Sequence, residues 1–204
     1  MHQKEVTTAG TGAAGKALIL IHGRGGSAAD ILSLADHLAV KDFKLVAPQA
    51  TNHTWYPYSF LAPPAENEPW LSSALGLLKE VVADLNKEGF DNAHIYFAGF
   101  SQGACLTLEF VTRNATRYGG VAAFTGGLIG DKIAPENYAG DFAGTPVFIG
   151  TSNPDPHVPV ERVYATANIL RDKNAVVTEK VYANMGHTIN QDEIEQANTL
   201  VFNA

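Results

Sequence analysis

HIYFAGFSQGACLTLEFVTR, residues 94–113, is the stretch that decides the fold. Its first seven residues form an apolar run of strand length, and from Gln102 to Arg113 the apolar positions continue at helical spacing. Between the two lies the pentapeptide GFSQG, 99–103, which puts Ser101 on a strand-to-helix turn. The backbone at such a serine is strained, and a side chain at 99 or 103 would strike the adjoining strand and helix, so both positions call for glycine. The helix that starts after Ser101 brings partial positive charge to the place where a negative oxygen develops in acyl transfer. Ser101 is the candidate nucleophile.

Outward from this turn, short apolar runs alternate with stretches of helical spacing, the pattern of a parallel sheet covered by helices. Strands are expected at 17–23, 43–48, 94–100, 120–126, 145–151 and 175–183. A helix is expected after Ser27, its N-cap, with Ile31, Leu34, Ala35 and Leu38 on one face. Others run from Pro69 to a stop at Gly89, over 102–113, over 160–173, and from Gln191 with Ile194, Ala197 and Val201 on one face. The connection from Gln49 to Glu68 is too long for an ordinary loop and holds Trp55, Tyr56, Tyr58 and Phe60. It reads as an ordered loop over the active edge of the sheet. His53, Trp55, Tyr56, Phe60 and Phe100 are the candidate substrate contacts.

The 204 residues, 46% of them hydrophobic, suffice for one domain spanning 1–204. Fourteen Lys and Arg stand against 21 Asp and Glu, a net charge of −7, and no basic run is present, which argues against nucleic acid or an anionic membrane as partner. The ALILI run at 17–21 is too short for a membrane span. A single cysteine, Cys105, cannot form an internal disulfide; this suits a reducing compartment, and a cytoplasmic location is expected. One turn beyond Ser101 on the helix, Cys105 reads as a packed core thiol. Self-association is left open.

A serine hydroxyl needs a base. Among seven histidines, His187 lies in NMGHTIN, a glycine-containing loop between the last strand and the last helix, at the carboxyl edge of the sheet. The base needs an acceptor, and Asp155 stands in TSNPDPHVP after the strand TPVFIGT, between two prolines. The order Ser, Asp, His is that of α/β-hydrolases.

Four motifs, HGRGG at 22–26, GFSQG at 99–103, DPHVP at 155–159 and GHTI at 186–189, resemble in sequence and order the phospholipase/carboxylesterase family, which includes bacterial carboxylesterases and acyl-protein thioesterases. The resemblance runs from Ala17 onward. It implies an α/β-hydrolase fold with helices on both faces of a mostly parallel sheet and no separate lid domain. It also implies hydrolysis of acyl esters or thioesters without cofactor or metal, the backbone N–H groups of Arg24 and Gln102 forming the oxyanion hole. The chain departs from the thioesterase pattern at Arg24, where an apolar residue is usual, and at Asp155, two residues further past Gly150. Arg24 points toward a small acyl ester as substrate, and two readings of its guanidinium stay open: it meets a substrate carboxylate, or it points to water or ties down an acidic neighbour. Thioesterase or lysophospholipase activity is the alternative within the family, and a non-catalytic binding protein the alternative outside it.

Overall fold

A computed structural model describes residues 1–203. Seven strands form one sheet in the order β1-β3-β2-β4-β5-β6-β7: β1 Val6–Ala9, β2 Ala17–Ile21, β3 Lys44–Pro48, β4 Ile95–Phe100, β5 Gly120–Phe124, β6 Pro146–Asn153 and β7 Val176–Ala183. All neighbours are parallel except β1, which pairs antiparallel with β3. The helices are α1 Ala28–Leu32, α2 Trp70–Lys87, α3 Gln102–Arg113, α4 Val160–Asp172 and α5 Gln191–Ala197, the last continuing as a π-helical turn, Asn198–Phe202. This is the α/β-hydrolase fold, with α2, α3 and α4 on one face and α1 and α5 on the other.

Covering both faces explains the continuous apolar runs: every residue of β2 is fully buried, and odd and even positions feed different cores. Ile19 and Ile21 join Leu78, Leu106 and Val163, whereas Leu18 and Leu20 join Ile31, Ile194 and Phe202. Ser27 caps α1 through a reciprocal pair with Asp30.

The chain leaves β2 toward β3 on one side and returns past it to β4 on the other. Strand order therefore reverses between β2 and β4, the crevice where α/β sheets bind ligands at their carboxyl ends. Ile21 is paired with Gly99 there, so HGRGG and GFSQG lie side by side.

The helix expected after Ser27 is α-helical only to Leu32 and continues as a 3-10 turn, Ser33–His37, with Leu38 extended beyond it. β2 stops at Ile21, short of 23. Three further elements also differ from the sequence expectation. β1 was not expected, because its VTTA is short, mostly exposed and without an apolar pattern; it is held by backbone pairing from Val6↔Pro48 to Ala9↔Leu45. β5 stops at Phe124, since Thr125 takes φ 60° and turns its N–H to the carbonyl of Gly150. β6 runs on to Asn153, in register with β7 as far as Ala183. That two-residue extension places Asp155 just beyond the strand end and accounts for its distance from Gly150.

Candidate active site

Ser101 has φ 54° and ψ −118°, a conformation that side-chain-bearing residues rarely adopt. The elbow holds it because the neighbouring glycines let backbones touch. A Cβ on Gly103 would lie 2.1 Å from the carbonyl oxygen of Ile21, and one on Gly99 2.5 Å from that of Gly103. The Ser101 N–H donates to Phe124 O, and the Cys105 N–H donates to Ser101 O as α3 begins.

The Ser101 hydroxyl is 2.8 Å from His187 Nε2, and His187 Nδ1 is 2.9 Å from Asp155 Oδ2. With Nδ1–H donated to the carboxylate, Nε2 carries the ring's lone pair and faces the Ser101 hydroxyl. The Asp155 carboxylate has no solvent exposure. Burial opposes its charge, but the hydrogen bonds from His187 and from the N–H groups of His157 and Val158 outweigh burial and hold the carboxyl below its usual range. The His187 loop is pinned at both ends: Ser152 Oγ accepts from Gly186 N–H at 3.0 Å and Glu193 Oε2 from Asn190 N–H at 2.9 Å.

Among the described residues, neither the Arg24 N–H nor the Gln102 N–H has a hydrogen-bond partner, and both flank Ser101. Their side chains are fully engaged. Arg24 Nη1 donates to Thr54 Oγ1 and Pro57 O, and Nη2 to Tyr56 O and Tyr58 O, at 2.8–3.0 Å. The Gln102 amide accepts from Trp55 N–H at 2.9 Å and donates to Tyr56 O at 2.8 Å. The guanidinium is thus a staple on loop 54–58, and of the two readings open for it the substrate-carboxylate one is corrected: its terminal donors are spent on three backbone carbonyls and the Thr54 hydroxyl. Sequence reasoning had no signal for this, because three of the four partners are backbone carbonyls, which every residue carries.

Two clefts meet at Ser101 and His187. The larger, about 800 Å³, is walled by Tyr56, Tyr58, Phe60, Leu61, His157 and Val158; the smaller, about 410 Å³, by Ile31, Leu34, Phe100 and Ile189. Of the expected substrate contacts, Tyr56 and Phe60 line the first and Phe100 the second, its ring 5.3 Å from that of His187. His53 and Trp55 line neither. Trp55 is wholly buried, its indole N–H given to His22 O, and His53 is spent on Gly26 O from the outer side. His157, which carried no sequence signal beyond its place in DPHVP, packs edge-on against His187 at 4.9 Å. Cys105 is buried, and burial pushes its thiol up to about 12, which leaves it a core residue at the floor of the larger cleft.

The fold and this arrangement define a member of the α/β-hydrolase class. The chain belongs to the phospholipase/carboxylesterase family, whose model matches residues 2–202. It is similar to a phospholipase/carboxylesterase from Dyadobacter fermentans, 55% identical with a TM-score of 0.97 over 98% of this chain and 97% of that one. It is also similar to esterase PE8, 25% identical with a TM-score of 0.80 over 97% of each. A probable carboxylesterase SOBER1-like of Arabidopsis thaliana is 30% identical over 127 residues, 61% of this chain and 48% of that protein. Acyl-protein thioesterase 1 of Saccharomyces cerevisiae is 28% identical over 132 residues, 64% and 58% respectively. The chain thus spans about half the length of these curated relatives. Among the described residues no helix is long and apolar enough to cross a membrane.

Proposed function

We propose that the protein is a serine carboxylesterase that hydrolyses small acyl esters as a single cytoplasmic domain, with Ser101 as nucleophile, His187 as base and Asp155 as orienting acid. The observation that carries this reading is the relay of 2.8 and 2.9 Å joining three residues from three separate loops. His187 takes the hydroxyl proton as Ser101 Oγ bonds to the ester carbonyl carbon, and the carbonyl oxygen, now negative, accepts from the N–H groups of Arg24 and Gln102. Collapse breaks the bond to the alcohol, to which His187 returns the proton. Water then attacks the acyl-enzyme with His187 again as base, releasing the acid and restoring Ser101.

The small-substrate reading rests on the larger cleft, one wall of which is residues 56–61 of the loop that Arg24 staples. Esters of acetyl to butyryl length should therefore have a much higher kcat/KM than palmitoyl esters, at roughly 1–3 kcal/mol per methylene that the pocket cannot hold. A series of p-nitrophenyl esters of graded acyl length tests this, together with fluorophosphonate labelling of Ser101. Preference for long chains would favour the thioesterase reading that the yeast relative's name suggests. Failure to label would end the serine-hydrolase proposal.

A further inference from the structure

The side chains of Arg24 and Gln102 are tied to residues 54–58, and the chain just before that segment is strained: Asn52 and His53 are consecutive left-handed residues, φ 55° and 57°. Left-handed conformations are uncommon for residues that carry a side chain and persist only where the surroundings hold them. Two imidazoles supply the hold, both packed against the Trp55 indole, at ring distances of 5.5 Å for His2 and 4.9 Å for His22. His2 Nδ1 accepts the Thr51 N–H at 3.1 Å while its Nε2–H donates to Trp55 O at 2.8 Å. His22 Nε2 accepts the Ala50 N–H at 3.1 Å while its Nδ1–H donates to Gly23 O at 2.7 Å. In both rings the accepting nitrogen faces a backbone N–H. Only a neutral imidazole can make these bonds, because protonation would set two donors against each other.

We infer that His2, with His22, is a positioning residue of the active site: its neutral ring clamps loop 50–55, which carries the supports of the oxyanion hole, and acid releases the clamp. This rests on the esterase reading for its kinetic consequence but not for its structural one. Burial of both rings favours the neutral form and lowers their pKa values below the usual histidine range. The charged groups facing them act the same way on balance: the Met1 amino group faces His2, and His22 meets His53 and His2, with Asp30 alone opposing. The path from clamp to hole is short. Trp55 N–H reaches Gln102 Oε1, Trp55 Nε1–H reaches His22 O, and His53 O accepts from Gly25 N–H at 2.7 Å, next to Arg24.

The test compares wild type with His2→Asn, whose carboxamide oxygen can still accept the Thr51 N–H but does not titrate, and with His2→Leu, which cannot accept it. The chain has two tryptophans, Trp55 and Trp70, and both rings contact His2. Wild-type tryptophan emission should change with a midpoint below pH 6.5, and the change should shrink in His2→Asn. At pH 8, His2→Leu should lose about tenfold in kcat with KM little changed, as expected when donors to the transition-state oxyanion are displaced, and His2→Asn should restore most of it. The acid limb of the wild-type profile should be steeper than that of His2→Asn by one proton. Unchanged kcat in His2→Leu, or an identical acid limb in His2→Asn, overturns the inference. If wild type hydrolyses no ester, the functional reading fails, while the emission titration still decides whether the clamp exists.

Discussion

Ser101 occupies a backbone conformation that only its neighbours make tolerable, and its hydroxyl points at His187 Nε2 rather than into packing. Ser101→Ala should therefore abolish ester hydrolysis while shifting Tm by no more than a surface substitution does, within about 0.5 kcal/mol. Thermal melts beside an activity assay check both halves, and residual turnover at wild-type level would exclude Ser101 as nucleophile. Asp155 divides its work between two oxygens. Oδ1 accepts the N–H groups of His157 and Val158 and shapes the turn, whereas Oδ2 holds His187. In Asp155→Asn the amide oxygen can keep the turn, but the NH₂ then faces Nδ1 and forces the wrong imidazole tautomer. kcat should fall on the order of 10⁴-fold with little change in KM or fold, as read by steady-state kinetics and circular dichroism. A loss confined to KM would assign Asp155 to substrate binding instead.

Among the elements, β4, the elbow and α3 tolerate no added atoms where they cross β2. Gly103→Ala drives a methyl into the Ile21 carbonyl and should destabilise the protein by about 1–3 kcal/mol or more, visible as a lower denaturant midpoint. An unchanged midpoint would mean that β2 and α3 can move apart. The long loop behaves differently, since side chains from outside it set its shape. Arg24→Leu removes four hydrogen bonds from residues 54–58 while leaving the Arg24 N–H in place. Neutral and carboxylate-bearing esters should lose kcat/KM alike, by up to about 10²-fold, because a displaced wall misplaces any substrate. A selective loss for the carboxylate ester would restore a direct substrate role to the guanidinium.

Across the whole molecule, pH acts through a buried carboxyl just beyond the His187 loop. Glu193 is fully buried against Gly150, with one carboxylate oxygen on the Asn190 N–H and the other without a partner. Burial raises its pKa from 4.5 to about 7. Between those values the folded protein keeps a proton that the unfolded chain releases, so this group's contribution to stability falls as pH rises through the window and is level above it. Glu193→Gln, which can still accept the Asn190 N–H, should flatten Tm against pH over that range; an unchanged decline would place its origin elsewhere. Much of the fold was legible beforehand because its signals are local. Buried strands show as apolar runs, helices as a 3.6-residue period, and the elbow as two glycines around a serine. The order of Ser101, Asp155 and His187 could also be read along the chain, since each follows a strand at the carboxyl edge. The tertiary structure alone decided that Arg24 staples a loop, that Trp55 is buried against His2 and His22 and lines neither cleft, and that β1 completes the sheet edge. These depend on which backbone N–H or carbonyl comes within 3 Å of a side chain after folding, and such groups are the same at nearly every residue, so no local pattern in the sequence distinguishes them.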